Sequence, residues 1–253
     1  MTIPMMQSFL LAAGLGTRLK PLTDTMPKAL VPVAGIPLLK HISQKLIDAG
    51  TERIIVNAHH FAQQIVDYIA TQDWGIEIKI SDESSQLLDT GGGLKKAQHL
   101  FTSSAPILIH NVDILSNANL KLLQHTHLHH DVTLLVSQRT TNRYLLFSDD
   151  MRLVGWTNIQ TGEVRSPYPN LDPTTCKQLA FSGIHIFSPK LFPLMNDYPD
   201  KFPIMDFYLN HCHEIDIHGA TQEGLQLLDV GKCNALAEAE KFLTTLGAAG
   251  NIN

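Results

Sequence analysis

Cysteine is scarce: the 253-residue chain holds only Cys176, Cys212 and Cys233. An odd number without paired metal spacing argues against a zinc ribbon or a disulfide framework, and fits unlinked thiols in a reducing compartment. Positive charge is not in excess either. The formal net charge of −5 speaks against a nucleic-acid surface and confines any anion site to a local basic pocket. No apolar run reaches bilayer length, and the opening segment MTIPMMQSFLLAAG has no basic start, so a cytoplasmic protein without a membrane partner is expected. Internal repeats, low-complexity blocks and flexible linkers are missing too. What remains, at 44% hydrophobic, is enough for a sizeable core in one α/β domain spanning 1–253.

Two common phosphate motifs are also absent. After the apolar run 9–13 the chain reads Gly14-Leu-Gly16-Thr-Arg18-Leu19. A dinucleotide fingerprint requires a third glycine where Leu19 stands, and Pro21 then blocks a regular helix. A Walker loop requires Lys and then Ser or Thr after its last glycine, whereas Thr17 and Arg18 follow Gly16. The segment nonetheless suits a triphosphate. Gly14 and Gly16 let the backbone turn with its N–H groups open to an anion. Arg18 supplies a planar fork and Lys28 a mobile point charge. Pro21, Pro27 and Pro32 stiffen the loop and lower the entropy lost on binding.

Residues 9–13, 53–57, 76–81, 107–110 and 132–137 have strand character. They alternate with helical spacing at 38–49, 61–71, 94–101 and 120–130. That alternation predicts a parallel sheet with helical crossovers. Farther on, strands are expected at 144–147, 153–156 and 183–187, a Pro- and Thr-rich loop at 166–175, and helices at 191–195, 204–212 and 233–246.

Leu11-Ala-Ala-Gly-Leu-Gly-Thr-Arg-Leu19, Pro21-Leu-Thr23 and Pro27-Lys28 resemble the signature of sugar-1-phosphate nucleotidylyltransferases. Asp89-Thr-Gly-Gly-Gly93, Asn111-Val-Asp113, Phe181-Ser-Gly183 and Asp229-Val-Gly231 extend the likeness over most of the chain. Among branches, the chain is similar to short N-acetylmuramic acid 1-phosphate uridylyltransferases and to mannose- or heptose-1-phosphate guanylyltransferases. The resemblance implies a Rossmann-like three-layer αβα fold with a mixed, mostly parallel sheet. Residues 1–137 would form a nucleotide-binding half and 138–253 a sugar-phosphate half with a closing helix. The implied reaction joins an NTP, UTP or GTP, to a sugar 1-phosphate with release of pyrophosphate, in a monomer or homodimer. A non-catalytic nucleotide or NDP-sugar sensor is the alternative of another class.

Nucleotidyl transfer depends on charge neutralisation and alignment, which leads to the expectation of Mg²⁺ on carboxylates. Asp113 follows one strand and Asp229 closes the apolar run 225–228; the resemblance maps the metal aspartates onto this pair, although a strand-end Asp also serves as a cap or turn former. Arg18 would hold the β/γ-phosphates and Lys28 the α-phosphate. The resemblance sets the nucleotide against Leu11, Ala12, Ala13, Gly14, Gly16, Thr17 and Arg18, and the base against Thr90, Gly91 and Gly92. That glycine run is expected to precede a helix starting near Leu94 and to expose backbone donors. Glu83 is open to a base or sugar contact, or to a plain loop role. Sugar-phosphate candidates are Asn111, Arg139, Arg143, Ser182 and Gly183, with Lys95 or Lys96. Val112 replaces the glycine usual in the family, a loss if that position needs φ > 0.

The chain has 13 histidines, and His125, His127, His129 and His130 cluster in sequence. They are set aside as a metal site, because no carboxylate or cysteine matches their spacing and imidazole suits Mg²⁺ poorly. Asn57, His59 and His60 lie near the expected site edge, and Trp74 and Trp156 are expected to pack.

Overall fold

The computed structural model describes residues 6–101, 104–231 and 235–250. Cys233, and with it the start of the expected closing helix, lies outside the described residues.

The chain opens with β1 (Met6–Leu11), the short hairpin β2 (Pro32–Val33) and β3 (Ile36–Pro37), and α1 (Leu38–Asp48). It continues through β4 (Thr51–Ala58), α2 (Ala62–Ala70), β5 (Glu77–Asp82), α3 (Asp89–Ala97) and β6 (Ile107–Asn111). β1 pairs in parallel with β4 on one side and β6 on the other, and β4 pairs in parallel with β5. The chain thus moves outward from β1 to β5, then returns to the far side of β1. Such a reversal leaves a crevice at the carboxyl ends of the strands, here at Leu11 and Asn111, which face each other in register.

These central strands are apolar on both faces. Met6 and Leu10 of β1 face one core, with α1, α2 and α4 (Leu120–His127), while Phe9 faces the other, with α3 and α5 (Ile204–His211). Ile54 and Val56 of β4 likewise point one way and Ile55 the other. The period of two in a sheet covered by helices explains the near-continuous hydrophobic runs.

The second half is mostly antiparallel. Between β6 and α4 lies β7 (Ile114–Ser116); then come β8 (Val132–Ser137), β9 (Arg143–Phe147), β10 (Leu153–Asn158), β11 (Glu163–Arg165) and β12 (Lys177–Phe187). After α5 follow β13 (Ile217–Thr221), β14 (Leu227–Asp229) and α6 (Ala235–Gly250). β12 runs antiparallel to β6, β8 and β9, and so joins the two halves in one ten-stranded sheet. Its register slips between Phe181 and His185, around Gly183 at φ 78°. The bulge forces the backbone close to its neighbour there. β14 pairs only with β7, in a separate two-stranded ribbon.

Several boundaries differ from the sequence expectation. α3 begins at Asp89, not near Leu94, so Gly91, Gly92 and Gly93 lie within its first turns. β12 extends six residues before the expected strand start, and β7, β11 and β13 were not foreseen.

Three histidines are buried among the described residues, His110, His127 and His185, and burial pulls the His127 pKa down to about 4. His110 is wholly enclosed beside Lys45 and Asp113, and burial pulls its pKa down to about 4. His185, facing His110, Phe181 and Tyr208, is pulled down to about 3. Between these values and 6.5 the unfolded chain binds more protons than the folded one, so stability falls as pH drops. The melting temperature is expected to hold from pH 8 to 7 and to decline below about 6.5, at up to about 1.4 kcal/mol per histidine per pH unit. Circular-dichroism melts across this range check it; a midpoint unchanged down to pH 5 would overturn the reading.

Candidate active site

At the strand-end crevice lies a cavity of about 320 Å³, a volume typical of small-molecule sites. Leu11, Ala13, Gly14, Lys28, Thr90, Asn111 and Asp113, all foreseen from the sequence, line it. Asn57, Leu87, Asp89, Val112 and Lys201 complete the wall. A larger groove of about 960 Å³ runs past Gln138, residues 221–227 and Phe242, but no residue of the Gly14–Lys28 loop or of the acidic pair lines it. The chemistry therefore belongs to the smaller cavity.

The loop leaving β1 is held from beneath. Asn57, at the end of β4 opposite Leu11, accepts the N–H of Ala12 at 2.7 Å and of Ala13 at 3.3 Å on its Oδ1. Gly16 adopts φ 63°, and a Cβ there would meet Thr23 at 2.8 Å, while the Thr23 hydroxyl donates to the Gly16 carbonyl at 2.8 Å. Only glycine fits that turn. Thr17, Arg18 and Leu19 form the short helical turn that follows.

Asp113 and Asp229 are brought together by the β7–β14 ribbon. Asp229 stands opposite Ile114, and the Val230 N–H donates to the Asp113 carbonyl at 2.8 Å. Lys45 supports the ribbon from α1, donating to the Ser116 carbonyl at 2.5 Å. Lys28 forms an almost buried ion pair with Asp113, and Arg18 lies 3.8 Å from Asp229. Partial desolvation and then the Asp113 carboxylate push the Asp229 pKa above the usual carboxylate range, against the pull of Lys28 and Arg18.

That repulsion bears on the expected Mg²⁺. Two all-oxygen side chains held against their mutual charge are a donor set that a hard divalent ion would relieve, with phosphate oxygens and water filling its remaining positions. Among the described residues no cluster of three or more His, Cys, Asp or Glu side chains offers a metal site. The residues present therefore fit an ion shared with a bound nucleotide rather than one caged by protein.

Several expectations need correction. Glu83 does not face the cavity: it is fully buried, one oxygen accepting Asn57 Nδ2 at 2.8 Å and the other the Leu88 N–H at 3.1 Å. Burial raises its pKa, and its role is to fix the amide that holds Ala12 and Ala13. Gly91 and Gly92 do not expose donors, because both N–H groups go to the Phe202 carbonyl, at 2.9 and 3.1 Å. A Cβ would fall 2.4 Å from the Phe202 ring at Gly91, 2.0 Å from the Asp200 carbonyl at Gly92 and 2.6 Å from Glu83 at Gly93. The triple glycine thus lets α3 press against segment 200–202 and brings Lys201 to the cavity. Lys95 and Lys96 are engaged elsewhere, on the Tyr198 and Asp82 carbonyls. Val112 causes no strain: it is absent from the positive-φ residues, and its N–H donates to the Leu11 carbonyl at 3.1 Å.

Gly183 presses on Asn111, where a Cβ would lie 2.7 Å from the amide nitrogen, and Ser182 is buried beside it. Arg139 and Arg143 do not line the Lys28–Asp113 cavity. They face an adjoining one of about 420 Å³ together with Arg165 and Trp156, and Trp156 packs, as expected, against the core on the α3 and α5 side. Trp74 also packs, edge-on to Tyr68. Asn57 had a signal in sequence, an amide ending an apolar strand; Lys201 and Arg165 stand in loop and edge segments that give none.

Fold and site together define a nucleotide-binding αβα protein whose anion loop faces an acidic pair. The sequence profile of the family described as nucleotidyl transferase matches residues 7–245, and the chain belongs to that family. It is 31% identical to the N-acetylmuramate alpha-1-phosphate uridylyltransferase of Caulobacter vibrioides over 93% of this chain and 96% of that protein. To the mannose-1-phosphate guanylyltransferase catalytic subunit beta of Drosophila melanogaster it is 33% identical, over 49% of this chain and 34% of that one. HddC of Yersinia pseudotuberculosis shares the fold, with a TM-score of 0.73 at 23% identity, covering 94% of this chain and 99% of that one. The relatives are sugar-1-phosphate nucleotidyltransferases, and this chain is an enzyme of that type. No helix among the described residues is long and apolar enough to cross a membrane.

Gly92→Ala is expected to lower stability by about 1–3 kcal/mol, since its methyl would meet a backbone carbonyl. Gly14, with nothing within 4 Å of a built Cβ, should accept alanine with a change below about 0.5 kcal/mol. Paired thermal melts test the contrast, and equal midpoints would count against the packing role of the glycine run.

Proposed function

We propose that the protein transfers UMP from UTP to N-acetylmuramate 1-phosphate, releasing pyrophosphate. The observation that carries the transferase reading is the meeting of Asp113 and Asp229 at the mouth of the Gly14–Lys28 loop. The choice of base and sugar is supported by the Caulobacter vibrioides relative, whose likeness runs the length of both chains, whereas the guanylyltransferase match covers about half of this one.

In this reading the N–H groups of the turn from Gly14 to Gly16, on a backbone that Asn57 fixes at Ala12 and Ala13, cradle the triphosphate. Arg18, anchored near Asp229, holds the β- and γ-phosphates and the departing pyrophosphate. Lys28 neutralises the α-phosphate, and Lys201, which lines the same cavity, meets the phosphate of the incoming sugar. A phosphate oxygen of the sugar 1-phosphate attacks the α-phosphorus in line, and the bond to the pyrophosphate oxygen breaks, so no general base is required. Asp113 and Asp229 would hold Mg²⁺, which would supply charge neutralisation and alignment. Asn111, pinned by Gly183, and Ser182 border the sugar side, so that residues 1–137 serve mainly the nucleotide and 138–253 mainly the sugar, with Asn111 and Asp229 crossing that division.

Asp113→Asn is expected to cut turnover by at least about a hundredfold with the fold retained. Lys28→Ala should lower kcat by about 10²–10³ and raise the KM for UTP far less. Because each leaves its partner uncompensated, the double variant should lose less than the two effects combined. Pyrophosphate release, measured over a matrix of triphosphates and sugar 1-phosphates, tests this. Near-normal turnover by Asp113→Asn would reject its role, a preference for GTP would reject the uridylyl assignment, and no release with any pair would return the protein to a sensor.

A further inference from the structure

The adjoining cavity of about 420 Å³ concentrates positive charge in a chain whose net charge is negative. Arg139, Arg143 and Arg165 line it with a single carboxylate, Asp206. Like charges gathered in one concavity repel, and the arrangement is relieved by a bound anion. The reacting phosphate is not that anion, because its oxygen must reach the α-phosphorus beside Lys28 and Asp113, in the other cavity.

The two cavities are close neighbours. Phe181 lines the arginine cavity, and two residues on Gly183 presses against Asn111 of the nucleotide cavity. Pro203 lines the first, and Lys201 the second. A sugar whose phosphate sits at Lys201 and Asn111 would therefore extend its ring substituents toward the arginines.

Two of the guanidinium groups are held in place. Arg165 Nη2 donates to Asp206 Oδ1 at 2.8 Å, and Arg139 Nη2 donates to the Phe181 carbonyl at 3.0 Å. One edge of the Arg165 fork is thereby fixed while its other donors remain available for a second planar acceptor. Trp156 and Met205 add apolar wall beside it.

Resting on the transferase reading, we infer that this cavity is a specificity subsite in which Arg165, oriented by Asp206 and seconded by Arg143, binds a carboxylate that the sugar carries on a short apolar arm. The substrate class is then an acidic sugar 1-phosphate, with one anion for the reaction and another for selection.

The test compares N-acetylmuramate 1-phosphate with N-acetylglucosamine 1-phosphate, the same ring without the lactyl carboxylate, using UTP and Mg²⁺. The native enzyme is expected to favour the acidic sugar. Arg165→Met should shrink the ratio of the two kcat/KM values by about tenfold or more, mainly through the KM of the acidic sugar, as expected for loss of a charge-assisted contact. Arg165→Lys should retain part of the preference, because the charge survives while the fork does not. Arg165→Met combined with Asp206→Asn removes both partners and keeps the comparison open should the single variant fold poorly. An equal loss for both sugars, or a native enzyme without preference, overturns the subsite and leaves the transferase reading standing. Absence of pyrophosphate with every sugar and triphosphate overturns both.

Discussion

Two carboxylates held side by side against their own repulsion are the constraint on which the rest depends. Asp113 and Asp229 are far apart in the chain, and only the pairing of β14 with β7 brings them together. Burial and then the Asp113 carboxylate raise the Asp229 pKa, against the pull of Lys28 and Arg18. The opposing terms are the Lys28 ion pair, the nearby Arg18 and a ribbon that Lys45 secures from below. A site so arranged would suit a ligand that brings a divalent ion, because binding would turn a contact between like charges into a coordinating one.

Around this pair the protein places polar groups that are already satisfied. Glu83 binds Asn57 and Leu88, and Asn57 in turn binds the backbone of Ala12 and Ala13. A buried network completed in this way fixes one loop geometry, and the loop need not be ordered when a triphosphate arrives. The glycines of α3 do similar work. Three glycines in a helix are costly in propensity, by about 1 kcal/mol each, and they are retained where a Cβ would strike segment 200–202 or Glu83. That close contact is what brings Lys201 to the cavity.

The long strand β12 borders both cavities. Its bulge at Gly183 pins Asn111 at the reaction side, while Phe181 faces the arginine cavity. In the proposed reading, reaction and selection would share one element but use different charged groups, so the arginine cavity could vary without disturbing the acidic pair.

The hydrophobic runs of β1, β4, β6 and β8 were legible because strands buried on both faces are apolar at nearly every position. The cationic glycine turn, Asp113 and Asp229 stood out in the sequence because phosphate and metal chemistry favours such residue types, and the fold brings them together. Glu83, Gly91 and Gly92 read as ligand contacts for the same reason, yet they serve packing and support, since a carboxylate or glycine looks alike in sequence whichever neighbour it meets. Lys201 and Arg165 gave no signal: a single cation on a loop or edge strand acquires meaning only from what stands across the cavity. By itself, then, the sequence determined the strand-and-helix pattern, the anion loop and the acidic residues, all set by local periodicity and side-chain chemistry. Tertiary structure alone decided which acids meet, where the α3 glycines press and which cations share a cavity, because those depend on contacts between segments distant in the chain.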